Sequence, residues 1–215
     1  MVFLPRRSVR KIRFYLIAVG ILGLALPIAW NNGIGEQIIP KRWVEIDPGF
    51  FRSGQLHPRL IERVLSENEI RVIVDLTSPD PLDPAQRAEQ VAARKLGIAH
   101  HRFPLDGSGV GELRHYADAI EVIDEARRVG SPVLIHCAAG ARRAAGVVAT
   151  YQVLVEGRAA EDVYAELDRY GARPVAQSPL LPYLNQNMGA LARLLVERDV
   201  IEDIDGPLPQ FVPPS

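Results

Sequence analysis

The sequence predicts an α/β fold in which a central, mostly parallel sheet is flanked by helices. Short apolar strand patterns alternate with amphipathic patterns long enough for helices, and this alternation is typical of a parallel sheet. Residues 71–76 form a continuous run rich in β-branched side chains, as expected of a strand buried on both faces. Residues 133–135 form a second apolar strand pattern, and a chain of 215 residues is long enough to enclose a sizeable core.

The first predicted elements lie between residues 44 and 97. Residues 44–55 predict two strands joined at a Pro-Gly turn, and residues 57–67 place apolar side chains at helical spacing. After the strand at 71–76, Asp83 and Pro84 supply an N-cap and a first-turn proline for a helix. That helix is expected to end at Leu96, because Gly97 follows it as a C-terminal stop.

The second half of the chain continues the alternation. A further strand is expected at 98–104, before the strand at 133–135. Helices are expected at 112–129, 144–155, 160–170 and 180–197, and three of them are closely followed by a glycine that can end them: Gly130, Gly157 and Gly171. The proline-rich end of the chain is expected to be loose from Gly206 onward.

The charge of the chain is unevenly distributed. Residues 1–13 carry five basic side chains and no acidic one, so the net charge of −1 leaves −6 for the remainder. A nucleic-acid partner is therefore not expected for the folded domain. Residues 14–30 contain no charge and the uncharged span continues to Gly35, which is long enough to cross a bilayer as a helix of about 20 residues.

The basic flank predicts a single-pass anchor with its N-terminus in the cytoplasm and the rest of the chain exported, periplasmic or otherwise extracytoplasmic. A cleaved signal peptide is the alternative, since Gly23 and Ala25 provide small residues at a cleavage-like spacing. The expected organisation is a basic cytoplasmic segment (1–13), an anchor or signal segment (14–35), a linker (36–42), a folded domain (43–200) and a proline-rich tail (201–215).

The one cysteine of the chain lies in a loop suited to phosphate chemistry. Cys137 directly follows a predicted strand, and Arg143 stands six positions later at the start of a predicted helix. Backbone N–H groups in such a loop can converge on one anion, and the helix N-terminus adds positive potential. The same field would lower the pKa of Cys137 and make a thiolate nucleophile. Arg143 could bind two phosphate oxygens at once.

The stretch His136-Cys137-x-x-Gly140-x-x-Arg143 matches the signature loop of the cysteine-dependent protein tyrosine phosphatase superfamily. Residues 51–55 resemble a motif of its bacterial, dual-specificity-like branch, and residues 157–171 resemble the helix after the signature helix. The resemblance covers about residues 43–195 and implies the α/β fold of that superfamily. It also implies a phosphomonoester hydrolase, a tyrosine or dual-specificity phosphatase that forms a cysteinyl-phosphate intermediate. No cofactor or metal is expected, since the one cysteine and five histidines of the chain show no metal-ligand spacing.

The resemblance further implies roles for individual residues. Cys137 would attack phosphorus, Arg143 would stabilise the transferring phosphate, and His136 would support the loop. The phosphate oxygens would be bound by the backbone amides of Ala138, Ala139, Gly140, Ala141, Arg142 and Arg143. Relatives use an aspartate about 30 residues before the cysteine as general acid and base, and Asp106 lies at that distance in a glycine-containing loop. A turn aspartate is the alternative interpretation, because Asp-Gly is a common turn dipeptide.

One departure from the family pattern affects the expected activity. Most members carry Ser or Thr after the arginine, but this chain has Ala144, which predicts slow hydrolysis of the phosphoenzyme. A weakly active phosphate-binding adaptor therefore remains an alternative. Arg142 adds a positive charge that could favour an inositol phosphate or phosphoinositide. A rhodanese-like sulfurtransferase is a further alternative, although such chemistry needs no aspartate. The expected partners are a phosphorylated protein or small molecule and, through the N-terminal helix, a membrane.

Overall fold

The computed structural model of the protein describes residues 35–170, 177–202 and 206–212. The folded domain begins at Pro40, three residues before the predicted start at residue 43. Its centre is a five-stranded sheet in the order β1-β2-β5-β3-β4. The strands are β1 (Val44–Asp47), β2 (Phe50–Gly54), β3 (Val72–Asp75), β4 (Ala99–Arg102) and β5 (Val133–Cys137). β1 is antiparallel to β2 and every other neighbouring pair is parallel, so the predicted mostly parallel sheet is confirmed.

Every helix predicted between residues 57 and 197 is present among the described residues. They are α1 (Ile61–Glu67), α2 (Pro84–Leu96), α3 (Leu113–Arg128), α4 (Arg142–Leu154), α5 (Ala160–Tyr170) and α6 (Leu180–Val196). Asp83 caps α2 as expected, because its carboxylate accepts a hydrogen bond from the Ala85 amide at 2.7 Å, and Gly97 ends that helix in the left-handed conformation. The structure differs from the prediction at α1, which begins at Ile61 because residues 57–60 form a separate turn.

The two faces of the sheet support two apolar clusters. The larger cluster packs α3, α4, α5 and α6 against one face, and the smaller cluster packs α1 and α2 against the other. Side chains of β5 alternate between them: Ile135 and Cys137 belong to the larger cluster, whereas Leu134 belongs to the smaller one. By the same alternation, His136 lies on the α2 side of the sheet and Cys137 on the α4 side.

The strand register brings the ends of three parallel strands together. In β2 the partner of Cys137 is Gly54, and in β3 the partner of His136 is Asp75. These residues therefore share the carboxyl edge of the sheet, where open α/β sheets bind their ligands. β5 lies between β2 and β3, so the loop that follows it emerges at the middle of this edge.

The tail after α6 differs from the prediction of a loose segment. The Phe211 side chain is only 1% exposed and belongs to the larger apolar cluster. The side chain of Asn185 on α6 makes two hydrogen bonds to the Phe211 backbone. Its oxygen accepts from the Phe211 amide and its nitrogen donates to the Phe211 carbonyl, each at 2.9 Å. The expectation is therefore wrong at Phe211, where a buried ring and two backbone hydrogen bonds fix the chain.

The apolar segment expected to cross a membrane falls almost entirely at residues 14–34, outside the described residues. Within the part of the chain that the structure describes, no helix has the length and apolar character that a membrane span requires.

Candidate active site

The signature loop (residues 136–143) connects the end of β5 to the first turn of α4. Cys137 is the last residue of β5 and is 1% exposed, and α4 begins at Arg142, two residues earlier than predicted. The chain turns back over the sulfur at Gly140, whose amide donates to Cys137 Sγ at 3.2 Å. Gly140 has a φ of +67°, a conformation that glycine adopts without strain.

The end of β2 presses directly against this loop. A β-carbon placed on Gly140 would lie 2.3 Å from the Gly54 amide nitrogen and 2.6 Å from the Ser53 carbonyl carbon. A β-carbon on Gly54 would in turn lie 3.2 Å from the Ala139 carbonyl carbon. The two glycines therefore let two backbone segments approach each other, and this contact gives the motif at residues 51–55 a structural role at the site.

The surroundings of Cys137 favour its thiolate form. Burial acts to raise the pKa of the Cys137 thiol, but the backbone amide of Ala144, the positive charge of Arg143 and the amides of Ala139 and Ala141 together lower it below its ordinary value. A thiol at a helix N-terminus beside an arginine is the arrangement that produces a nucleophilic cysteine. The lowered pKa expected from the sequence is confirmed in direction.

Three arginines line the pocket above the sulfur. The pocket has a volume of about 190 Å³, and its lining includes three residues of the signature loop, Cys137, Ala139 and Ala141, and the arginines Arg42, Arg142 and Arg143. The guanidinium of Arg143 donates to the Leu76 carbonyl at the end of β3, at 3.2 Å. The guanidinium of Arg42 donates to the Ala139 carbonyl at 2.7 Å. The pocket therefore combines one nucleophile with several positive groups, which suits a phosphate ester.

The loop that carries Asp106 borders the same pocket. Gly107 lines the pocket, and the positive charge of Arg143 acts on the exposed Asp106 carboxylate. The Asp106 carboxylate accepts a hydrogen bond from the Ser108 amide at 2.8 Å. Hydrogen bonds from Ser108 are the main cause that holds the pKa of Asp106 below its ordinary value, and Arg143 contributes to the same shift. The Asp106 loop therefore borders the Cys137 pocket, close enough for the charge of Arg143 to act on Asp106.

Two buried or half-buried tyrosines hold the Asp106 loop (residues 106–111). Tyr116 of α3 donates to the Gly109 carbonyl at 2.5 Å, and Tyr183 of α6 donates to the Gly111 carbonyl at 2.5 Å. Gly109 has a φ of +93°, and a β-carbon there would lie 2.9 Å from the Leu180 side chain and 3.3 Å from the Arg142 carbonyl. The loop is therefore packed between helices and the signature loop.

Comparison with known proteins identifies the family of this fold and site. A family model described as "Dual specificity phosphatase, catalytic domain" matches residues 55–187, more than half of the chain. The chain belongs to the dual specificity phosphatase family. The matched residues include Asp106 and the whole signature loop, so they form a cysteine-dependent phosphatase domain. Arg42 and Gly54, which contact the loop, lie before the match.

A curated relative supports this membership over part of its length. The chain is 29% identical over 122 residues to the dual specificity protein phosphatase Mpk3 of Drosophila melanogaster. The alignment covers 57% of this chain and 28% of that protein. This chain therefore spans less than a third of the length of that relative.

Solved structures share the fold at low sequence identity. The core catalytic domain of the PP-IP phosphatase SIW14 from S. cerevisiae, in complex with citrate, has a TM-score of 0.61 at 16% identity, over 80% of this chain and 98% of that one. TpbA of P. aeruginosa has a TM-score of 0.58 at 15% identity, over 73% and 91%. PTPMT1 in complex with PI(5)P has a TM-score of 0.55 at 17% identity, over 73% and 98%.

Within this phosphatase domain, His136 lies away from the pocket that holds Cys137. It is 1% exposed, and its Nε2 atom lies 3.1 Å from the carboxylate of Glu89 on α2. The same carboxylate lies 2.9 Å from Nε2 of His100 on β4. No motif in the sequence points to Glu89. The helical spacing of α2 does carry an indication of it. Glu89 shares the buried face with Ala92 and Ala93, whereas a glutamate is expected on the exposed face.

Arg42 was also missed, and the sequence carries little signal for it. Arg42 lies in the predicted linker, 97 positions from its partner Ala139, so no local pattern connects the two residues. Its φ of +48° is uncommon for a residue with a side chain. Backbone strain of this kind is maintained by surrounding contacts, and here the contact is with the signature loop.

Proposed function

We propose that this protein hydrolyses phosphate monoesters through a cysteinyl-phosphate intermediate on Cys137. The observation that supports the proposal best is the position of this thiol, with a lowered pKa, at the floor of a pocket lined by arginines. Cys137 is also the one cysteine in the chain, so a cysteine-dependent mechanism has no other nucleophile. The expected substrates are phosphorylated proteins, on tyrosine or on serine and threonine, or small phosphorylated molecules.

The reaction divides into two displacements at phosphorus. The Cys137 thiolate attacks in line, a sulfur–phosphorus bond forms, and the ester oxygen–phosphorus bond breaks as Asp106 donates a proton to the leaving oxygen. Water then attacks the cysteinyl phosphate. Asp106 takes the water proton, the phosphorus–sulfur bond breaks, and the thiolate is restored. Arg143 and the backbone amides of the signature loop stabilise the charge on the phosphate oxygens in both steps.

Hydrolysis of an aryl phosphate by the full-length protein, measured as a function of pH, tests this mechanism. Cys137→Ser is expected to abolish turnover. Asp106→Asn is expected to lower turnover and to remove the fall in activity at rising pH that deprotonation of the Asp106 general acid causes. Asp80→Asn provides a matched control, because Asp80 is another exposed loop aspartate whose carboxylate accepts from the amide two positions later, at 2.9 Å. If Asp80→Asn removed the acid dependence and Asp106→Asn did not, the assignment would be wrong.

The same experiment tests the alternative of an inactive phosphate-binding adaptor. Wild-type protein that binds vanadate or phosphate tightly, but hydrolyses no more substrate than Cys137→Ser, would favour the adaptor. Ala144 is the feature of the sequence that keeps this alternative open. Its side chain is fully buried and supplies no hydroxyl beside the sulfur.

A more specific substrate class, a small molecule with more than one phosphate, is favoured by Arg42 and Arg142. Both line the Cys137 pocket in addition to Arg143. Among the structural neighbours, SIW14 is described as a PP-IP phosphatase and PTPMT1 is in complex with PI(5)P. For this chain we expect Arg42→Gln and Arg142→Gln to lower kcat/KM more for a bisphosphorylated substrate than for an aryl monophosphate. Equal losses on both substrates would contradict this substrate class.

We also propose that residues 14–35 anchor the protein in a membrane and that the catalytic domain is exported. The uncharged span and its flank of five basic residues support this proposal. We expect the full-length protein in the membrane fraction and expect alkaline extraction not to release it. After the outer layers of the cell have been permeabilised, protease added from outside should digest the catalytic domain. A mature N-terminus just after residue 25 would instead identify a cleaved signal peptide.

A further inference from the structure

A network of charged side chains is buried directly behind the signature loop. Glu89 of α2 is 2% exposed, and its carboxylate lies 3.1 Å from His136 of β5. Asp75 of β3 is fully buried, lies 3.8 Å from the same ring nitrogen, and pairs with Arg102 of β4 at 2.7 Å. His100 of β4 contacts Glu89 on the more exposed side of the network, at 2.9 Å. These groups come from four different elements and meet beneath the end of β5.

His136 is placed to supply positive charge to this network. Glu89 and Asp75 provide two negative charges and Arg102 provides one positive charge, and His136 is the histidine that lies near both carboxylates. Burial alone acts to lower the pKa of His136, but the Glu89 charge and hydrogen bond outweigh burial, with help from Asp75 and Cys137, and raise it to about 9. Burial acts to raise the pKa of Glu89, yet His136 and His100 lower it to about 2.

The protonated ring lies next to the nucleophile. His136 and Cys137 are consecutive residues of β5 that point to opposite faces of the sheet, and their charges act on each other. Among the described residues, the second ring nitrogen of His136, Nδ1, is buried without a hydrogen-bond partner. A buried donor without an acceptor is costly, and the ion pair between Nε2 and Glu89 offsets this cost.

We infer that Glu89 is a positioning residue for the phosphatase reaction: it holds His136 as an imidazolium behind Cys137, and this positive charge keeps the nucleophile in its thiolate form. The inference rests on the proposed role of Cys137 as nucleophile. Glu89 does not touch the substrate pocket and acts through His136 alone. It therefore extends the catalytic apparatus from the signature loop to a helix on the other side of the sheet.

The decisive experiment measures the rate at which iodoacetamide alkylates Cys137 in the full-length protein as a function of pH. It needs no substrate, and Cys137 is the one thiol in the chain. In Glu89→Gln the midpoint of the alkylation profile is expected to rise by about one pH unit, the shift typical of losing one nearby opposite charge. His136→Gln is expected to produce the same rise, and the double variant no further rise, because both residues act through one charge.

Glu166→Gln is the matched control. Glu166 is a glutamate in a salt bridge with Arg158 on the α5 side of the protein, so its loss removes a carboxylate without touching the network. Its alkylation midpoint is expected to equal that of the wild type. A Glu89→Gln protein that is folded but has an unchanged midpoint would overturn the inference.

Two further outcomes remain informative. If Glu89→Gln does not fold, nitrogen NMR of His136 in the wild type provides the test: a neutral ring at pH 7 would overturn the inference, and an imidazolium would support it. If the wild type hydrolyses no phosphate ester but the midpoint shifts as expected, the role of Glu89 stands and the proposed hydrolase activity fails. The two proposals can therefore fail separately.

Discussion

Replacing Gly140 with alanine tests the close contact between β2 and the signature loop. Two costs are expected. The φ of +67° disfavours any residue with a side chain, which costs about 1 kcal/mol or slightly more. The new β-carbon would also lie 2.3 Å from the Gly54 nitrogen and 2.6 Å from the Ser53 carbonyl carbon. Both atoms belong to the backbone of a central strand, so relief requires movement of the loop, at a further cost of about 1–3 kcal/mol.

Gly97 provides a control that separates the two costs. It has the same φ of +67°, and a β-carbon there would meet no atom within 4 Å. Gly97→Ala should therefore show only the backbone cost of about 1 kcal/mol in urea unfolding. Gly140→Ala should show a loss of about 2–4 kcal/mol. Because its loop must move by roughly 1 Å, kcat/KM for an aryl phosphate should also fall by about 100-fold, while Gly97→Ala keeps full activity.

A Gly140→Ala protein that is no less stable than Gly97→Ala would contradict the close contact. A Gly140→Ala protein that is destabilised as expected but keeps wild-type kcat/KM would show that the loop position does not limit the reaction. Circular dichroism on both variants establishes that the comparison is made between folded proteins.

Three further predictions concern other parts of the site. Ala144→Ser should raise steady-state turnover and reduce the accumulated phosphoenzyme in a rapid-quench burst; unchanged turnover would remove the argument that a missing hydroxyl slows the second step. Tyr116→Phe should lower kcat by about ten-fold with little change in KM. The Gly109 carbonyl would lose its hydrogen-bond donor, and Asp106 would no longer be held in position. An unchanged kcat would contradict this role of Tyr116. The free energy of unfolding should fall as pH rises from 6.5 through about 9. Folding raises the pKa of His136 to about 9, so the protonated ring contributes its full stabilisation only below pH 6.5. The loss in urea unfolding should not exceed about 3 kcal/mol and should be absent in His136→Gln.

Local sequence patterns predicted most of the fold because they follow from local physical preferences. Asp83, Pro84 and Gly97 each act on the backbone next to them, and the structure confirms the bounds of α2 at both ends. The β-branched run at residues 71–76 predicted an inner strand, and β3 indeed lies between two parallel neighbours. The tail could not be predicted in the same way, since the burial of Phe211 depends on the Asn185 side chain of another element.

The same distinction applies to the site. The signature loop was identified because all its members lie within eight consecutive positions, from His136 to Arg143. Glu89 is separated from His136 by 47 positions and Arg42 from Ala139 by 97, so their roles depend on the tertiary fold. Glu89 carried an indirect signal, an acidic residue on the buried face of a helix. Arg42 is visible only in the structure.

The anchoring of the Asp106 loop by Tyr116 and Tyr183 has a consequence for substrate range. A loop that must close over each substrate loses conformational entropy in every catalytic cycle, and contacts with large substrates have to compensate for that loss. Here two hydroxyl groups order the loop when the chain folds, before any substrate arrives. A small ester with few contacts should therefore meet a general acid already in position, and the kinetic difference between small and large substrates should arise in binding rather than in the chemical step.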